Sequence, residues 1–148
     1  MGFTEEACPL PSSGGEERIR EILTPPRTFA VVGMSPKVER PSYEVGCYLK
    51  DHGFDVIPVH PKAGEIAGLK VYPDLESIPA DRKVEVVDLF VAGERTLPVV
   101  EAAARIGAKT VWFQPGAENP EAEARARELG LEVISGRCSM AEHKRLFG

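Results

Sequence analysis

The feature that most constrains the fold is a repeated unit in which a helical segment ends at a glycine and a short apolar run follows. The units are Gly53 before 54–59, Gly107 before 110–113, and Gly130 before 131–134. Glycine commonly ends a helix because it tolerates the left-handed conformation found there. Strands that alternate with helices form parallel sheets covered on both faces. The pattern therefore predicts a doubly wound, Rossmann-like α/β domain.

Residues that can cap a helix stand before the helical segments. Ser42, Thr96 and Asn119 are the predicted caps, since their short side chains can accept hydrogen bonds from the first turn. A short amphipathic helix is expected over 16–23, where apolar residues recur at helical spacing. His143 is interpreted as a surface residue of a terminal helix.

Further apolar runs complete the sheet at 29–32 and 85–91, with a weaker run at 69–72 that would form an edge. We therefore expect a mostly parallel sheet of five or six strands. Right-handed crossovers bring the carboxyl ends of parallel strands to one rim, with the switch point between the strand ending at Gly33 and the strand ending near Val91. The residues predicted to converge there are Gly33, His60, Val91 and Gln114.

Composition narrows the function classes. The 148 residues suit one domain, expected over 16–148 after a flexible leader over 1–15 that mixes Pro, Ser, Gly and acids. A net charge of -5 disfavours nonspecific nucleic-acid binding, and no apolar run approaches the ~20 residues of a membrane span. The acidic start is unlike a secretory signal and predicts a cytoplasmic protein. Three dispersed cysteines indicate neither a zinc site nor a disulfide framework.

A phosphate-binding loop is indicated where the first strand ends. The run 29–36, FAVVGMSP, breaks at Gly33 before a capped helix, and such helix starts bind phosphate through backbone N–H groups. The loop over 34–41 is longer than the GxGxxG turn, so an ordinary NAD-binding loop is not predicted. Lys37 and Arg40 lie in this loop, where phosphate contact and simple solvation are equally open.

The next strand end favours a phosphorylated ribose. Dinucleotide folds that bind an unphosphorylated ribose place Asp or Glu there, whereas this chain has Val59, His60, Pro61 and Lys62. We expect Lys62 to contact a ribose phosphate, and the role of His60 stays open. Gln114, which precedes a Pro-Gly turn, could supply hydrogen bonds to a ligand.

Catalysis has little support in these residues. The sequence holds no Gly-x-Ser-x-Gly elbow, and its histidines are scattered. Cys138 follows Arg137, but a packing role is favoured over a reactive thiol. We therefore predict binding residues without catalytic or metal residues. The predicted set is Gly33, Met34, Ser35, Pro36, Arg40, Ser42, His60, Pro61, Lys62, Val91 and Gln114.

Several motifs in order resemble the stand-alone CoA-binding domain proteins, a family similar to the N-terminal CoA-binding domain of the succinyl-CoA synthetase alpha subunit. The resemblance rests on VVGMSP at 31–36, RPSYEV at 40–45, HGFDVIPVHPK at 52–62, GLKVY at 68–72, WFQPG at 112–116 and RC at 137–138. It implies that Gly33, Ser35 and Pro36 line the entry for phosphate and pantetheine. It also implies that Lys62 meets the adenosine end and that Val91 adjoins the ligand.

The resemblance implies a protein that binds CoA or an acyl-CoA without catalysis, as a carrier, a sensor or a partner subunit. The synthetase's catalytic phosphohistidine belongs to another domain, so ligase activity is not carried over. An NADP-dependent oxidoreductase or NADP sensor is the alternative, because Lys62 could pair with a 2′-phosphate. A third hypothesis is a thiol sensor in which Cys138 exchanges disulfides with CoA. A homodimer or another protein partner stays open.

Overall fold

The computed structural model describes residues 16–25, 27–62 and 64–147, so the predicted leader over 1–15 lies outside the described residues. The helices are α1 (Glu16–Ile22), α2 (Pro41–Asp51), α3 (Thr96–Arg105), α4 (Pro120–Glu128) and α5 (Ser139–Phe147). The strands are β1 (Thr28–Val32), β2 (Asp55–Val59), β3 (Glu65–Ile66), β4 (Leu69–Lys70), β5 (Val86–Leu89), β6 (Thr110–Phe113) and β7 (Glu132–Ser135).

Five strands form one parallel sheet in the order β2-β1-β5-β6-β7. The chain winds outward from β1 to one edge through β2 and then to the other edge from β5 onward. The switch point therefore lies between β1 and β5, where ligands bind in open α/β sheets. This arrangement confirms the predicted doubly wound, Rossmann-like α/β fold.

The weak run at 69–72 does not become a full sixth strand. Leu69–Lys70 pairs with Glu65–Ile66 in a small antiparallel hairpin, and only Tyr72 reaches the main sheet, through one parallel bridge to Val59. Pro73 follows immediately, and a proline has no N–H with which to extend the ladder. The parallel sheet therefore has five strands, at the lower end of the prediction.

Alternate side chains of β1 pack into separate cores on the two faces of the sheet. Phe29 and Val31 join a core with α1, α2 and α5, while Ala30 and Val32 join a core with α3 and α4. All four side chains are buried. Strands buried on both faces read as continuous apolar runs, which is why β1 was recognisable in the sequence.

The helix starts follow the predictions in part. Asn119 caps α4 as predicted, because its side-chain oxygen accepts hydrogen bonds from the N–H groups of Glu121 and Ala122.

The other two predicted caps, Ser42 and Thr96, are wrong. Pro41 occupies the first turn of α2, so Arg40 stands at the cap position without a side-chain cap. Thr96 is the first residue of α3, and its hydroxyl donates to the Gly93 carbonyl.

His143 is buried instead of lying on the surface of the terminal helix. Its exposed fraction is 6%, and its Nδ1 lies 2.8 Å from the Tyr48 hydroxyl. The pattern of α5 alone misled the prediction, because α5 packs across α2 and encloses the ring. Burial, together with nearby His52, lowers the pKa of His143.

Candidate functional site

Backbone hydrogen bonds align the carboxyl ends of neighbouring strands at one rim of the sheet. The Gly33 N–H donates to the Val59 carbonyl at 2.8 Å, and the Phe90 N–H donates to the Val32 carbonyl at 2.9 Å. Gln114 continues the ladder by donating its N–H to the Leu89 carbonyl. Because parallel strands lie about 4.8 Å apart, the ends of β2, β1, β5 and β6 extend over about 14 Å.

A cleft of about 780 Å³ opens over this rim. It brings together eight of the eleven residues that the sequence selects as binding residues. Those eight are Gly33, Ser35, Pro36, Arg40, Ser42, His60, Val91 and Gln114. The positions in the sheet order explain the convergence, since each residue follows a strand end or belongs to the loop before α2 or to the first turn of α2.

Three predicted binding residues do not line this cleft. The Met34 side chain is fully buried in the core and packs against Gly46, where a Cβ atom would stand only 2.6 Å from the Met34 sulfur. Pro61 lines a neighbouring apolar pocket of about 300 Å³, which shares Gly33 and Val91 with the cleft. Lys62 lies beyond His60, outside the lining of both cavities.

Gly33 permits the close approach of β1 and β5 at the switch point. Its φ is +89°, in the region that favours glycine, and a Cβ atom there would lie 3.1 Å from Cγ1 of Val91. The backbone carbon of Phe90 would be 3.3 Å away. A side chain at this position would therefore push apart the two strand ends that form the middle of the cleft.

The loop after Gly33 is fastened to the start of α2. Ser35 donates its N–H to Oγ of Ser42 at 2.9 Å, and Lys37 donates its N–H to Oγ of Ser35 at 3.0 Å. Ser42 therefore holds this loop instead of capping its own helix. The loop and the first turn of α2 line the cleft together, so the positive end of an 11-residue helix adjoins it. Such an arrangement favours an anion.

The cleft is cationic although the chain is acidic overall. The net charge of the chain is -5, yet the lining includes Lys37 and Arg40 and no Asp or Glu. Among the described residues, neither of these cations forms an ion pair with a carboxylate. Both charges are therefore available to a phosphorylated ligand.

Cys138 lines the other end of the cleft, a placement that the packing interpretation of the sequence missed. It is half-buried and directly precedes α5. The segment before it is drawn to the end of β6, because Gly136 donates its N–H to the Phe113 carbonyl and Trp112 Nε1 donates to the Arg137 carbonyl at 2.6 Å. Its position after the last parallel strand was the available signal.

A buried polar cluster of Asp88, Gln114 and Ser139 adjoins the cleft at the end of β6. Gln114 Nε2 donates to Oδ1 of Asp88 and, at 2.9 Å, to Oγ of Ser139. Ser139 in turn donates to Oδ2 of Asp88 at 3.1 Å. Burial raises the pKa of Asp88 to about 7, against the opposing effect of these two hydrogen-bond donors. Sequence reasoning missed Asp88 and Ser139, although an acid inside an apolar strand calls for such partners.

Outside the cleft, the described residues provide weaker candidates for a functional site. A cavity of about 480 Å³ lies near the amino ends of β5 and β6, between the end of α3 and the segment before β5, and it includes the exposed ion pair of Arg105 and Glu76. Within the described residues, no group of three or more His, Cys, Asp or Glu side chains is placed to hold a metal ion. No helix in that part of the chain has the length and apolarity needed to cross a membrane.

A doubly wound parallel sheet with a cationic cleft at its switch point is the arrangement of α/β domains that bind phosphorylated cofactors. Comparison with protein families narrows this class. The model of the CoA binding domain matches residues 27–144, and the chain belongs to this family.

Three individual proteins are similar to this chain. A hypothetical protein from Pyrococcus horikoshii OT3, whose structure is solved, is 48% identical in sequence to this chain. The two structures superpose with a TM-score of 0.89, over 98% of this chain and 100% of that one. YneT of Bacillus subtilis is 34% identical over 84% of this chain and 91% of its own length. Acetate–CoA ligase [ADP-forming] II of Archaeoglobus fulgidus is 30% identical over 70% of this chain, which corresponds to 16% of the ligase.

Proposed function

We propose that this protein binds CoA or an acyl-CoA in the cleft at the carboxyl rim of the sheet and does not itself catalyse a reaction. The observation that carries the proposal is the cleft lining, in which Lys37, Arg40 and the start of α2 face no acidic residue. Membership in the CoA-binding domain family supports CoA as the anion bound there. The protein would serve as a carrier, as a sensor or as the partner subunit of another protein.

The charges suggest one direction for the ligand. We place the diphosphate against the loop from Gly33 to Ser42, where Lys37, Arg40 and the positive end of α2 lie together. The adenine base would occupy the neighbouring apolar pocket, which includes Pro61 and Val91. Lys62 would reach the 3′-phosphate from the end of β2. The pantetheine arm would then extend along the ends of β5 and β6 toward Cys138.

The separation of the reactive side chains favours binding without turnover. His60 follows β2 and Cys138 follows β7, and these strands form opposite edges of the five-stranded sheet. A nucleophile and its general base must lie within hydrogen-bond reach of each other. Neighbouring strand ends therefore do not bring this pair together as a base and a nucleophile.

NADP is the second candidate ligand, because Lys62 at the end of β2 would also suit a 2′-phosphate. The long loop from Met34 to Arg40 weighs against it, since dinucleotide folds turn directly from the first strand into the helix. Thermal unfolding with CoA and with NADP therefore distinguishes the two candidate ligands.

Thermal unfolding with CoA, acetyl-CoA, dephospho-CoA, NAD or NADP in excess tests the proposal. CoA at 100 times its dissociation constant stabilises a folded protein by about 2.7 kcal/mol. We expect less stabilisation by dephospho-CoA, and we expect Lys62→Ala to remove the advantage of CoA. Lys83→Ala, near the amino end of β5 and outside the cleft lining, is the matched control. Stabilisation by NADP and not by CoA would replace the proposal with the NADP alternative, and stabilisation by none would reject both.

A further inference from the structure

One polar atom beside the cleft has no hydrogen-bond partner. Among the described residues, Oε1 of Gln114 is the buried side-chain oxygen or nitrogen that remains unpaired. Gln114 is 1% exposed and belongs to the lining of the cleft. Buried acceptors in native proteins nearly always have a donor, so the donor for Oε1 must come from water or from a ligand that enters the cleft.

The neighbours of Gln114 fix which end of its amide is unpaired. Both hydrogens of Nε2 are used, one toward Asp88 and one toward Ser139. The Ser139 hydroxyl gives its own hydrogen to the other carboxylate oxygen of Asp88. Above about pH 7, where Asp88 is ionised, turning the amide over would direct Oε1 at a carboxylate and at a hydroxyl without a free hydrogen. The three residues together therefore hold Oε1 as a hydrogen-bond acceptor.

The position of this acceptor indicates which part of a ligand it meets. The cations of the cleft, Lys37 and Arg40, lie in the loop before α2. Around Gln114, at the end of β6, the lining is uncharged and includes Pro115, Ala117 and Cys138. A ligand whose phosphates lie at the cationic end would bring an uncharged portion to Gln114. In CoA that portion is the pantetheine arm, which carries amide N–H and hydroxyl donors.

We propose that Oε1 of Gln114 accepts a hydrogen bond from an amide or hydroxyl of the pantetheine arm, and that Asp88 and Ser139 are positioning residues for this contact. The inference rests on the proposed function and adds to it a residue that recognises the uncharged part of the ligand by a hydrogen bond. A ligand fragment that contains only the phosphorylated adenosine would not make this contact.

Side-chain amide resonances provide a direct test in the wild-type protein. The sequence contains one glutamine, Gln114, and one asparagine, Asn119, so each side-chain NH₂ group gives an assignable ¹⁵N signal. Asn119 caps α4, does not line the cleft and is an internal control. At pH 8 we expect saturating CoA to shift the Gln114 signals and leave those of Asn119 in place. Adenosine 3′,5′-bisphosphate should leave both in place.

Binding measurements on variants separate ligand contact from a structural role. Gln114→Met keeps the side-chain length and removes the acceptor, so we expect the Kd for CoA to rise about tenfold, within the range for losing one buried hydrogen bond. The Kd for adenosine 3′,5′-bisphosphate should stay within about twofold by the same reasoning, because that fragment lacks the arm. Ser139→Ala should show the same split between the two ligands, to a smaller extent.

The outcomes separate this inference from the function it rests on. CoA binding that leaves the Gln114 signals unmoved would overturn the inference alone. Equal weakening of CoA and adenosine 3′,5′-bisphosphate by Gln114→Met would do the same, since it would show that the residue only maintains the fold. If the wild-type protein does not bind CoA, the proposed function and the inference both fail.

Discussion

Asp88 makes the free energy of unfolding depend on pH. Its carboxyl group is fully buried in the middle strand of the sheet, and burial raises its pKa to about 7. In the unfolded chain a carboxyl group of this kind has a pKa near 4. Between these values the folded protein binds a proton that the unfolded chain has released. The stability that Asp88 contributes is therefore complete below about pH 4 and is lost as the pH rises toward about 7.

Asp88→Asn should remove this dependence. One proton changes the slope of the unfolding free energy by at most about 1.4 kcal/mol per pH unit, and the wild-type slope should be more negative than the variant slope between about pH 4 and 7. Urea denaturation at several pH values measures both slopes. His143, whose pKa is lowered, contributes the opposite sign, but it does so in both proteins and cancels. Parallel stability curves would contradict this account of Asp88.

Gly33 allows a second comparison at the scale of single residues. Gly33→Ala adds a Cβ atom 3.1 Å from Val91 in a backbone with φ of +89°. Gly107→Ala meets a similar φ, +83°, with nothing within 4 Å of the added atom, so it controls for backbone strain. Strain of this kind costs about 1–2 kcal/mol. We expect chemical denaturation to show a larger loss for Gly33→Ala, and equal losses would mean that the close approach of β1 and β5 is unimportant.

At the scale of elements, the side chains at the starts of α2 and α4 affect different properties of the protein. Asn119 caps α4, whereas Ser42 holds the loop over the cleft through Ser35. Asn119→Ala should lower stability by about 1 kcal/mol, the usual effect of losing a cap, and leave CoA affinity unchanged. Ser42→Ala should instead raise the Kd for CoA several-fold, because the loop loses its support. Denaturation and CoA titration of both variants check this, and similar effects on affinity would contradict it.

The same elements show how far sequence reasoning reaches. The fold was predictable because apolar runs, glycine ends and the Asn119 cap are local patterns, and the structure agrees with them. Ser42 was misassigned because its partner, Ser35, lies in a loop whose path no local pattern specifies. Met34 was selected from its place in that loop, but its side chain turns into the space left by Gly46.

Residues of the candidate site that directly follow strand ends were predictable from the sequence. Contacts between side chains of different elements were not. Asp88, Gln114 and Ser139 come from β5, β6 and α5, and their partners are 25 to 51 residues apart in the sequence. A single sequence does not indicate such pairings. Burial of His143 has the same origin, since it depends on how α5 packs against α2.

For the whole molecule, the acidic chain and its cationic cleft decide where an anionic ligand can bind. The net charge of -5 disfavours polyanions at most of the surface, while Lys37, Arg40 and the start of α2 concentrate positive potential at the switch point. The fold thus places two cations and a helix start at one cleft of a chain whose net charge is negative. A compact phosphorylated cofactor fits this pattern better than a nucleic acid does.

Calorimetric titration of CoA into the wild-type protein and two arginine variants tests the central claim most directly. Arg40 lies in the cleft, whereas Arg82 pairs with Asp55 and lines the cavity near the amino ends of the strands. We expect saturable CoA binding by the wild type, about tenfold weaker binding by Arg40→Gln from the loss of a charged hydrogen bond, and no change for Arg82→Gln. Absence of wild-type binding, or equal weakening by both variants, would contradict CoA binding at this cleft.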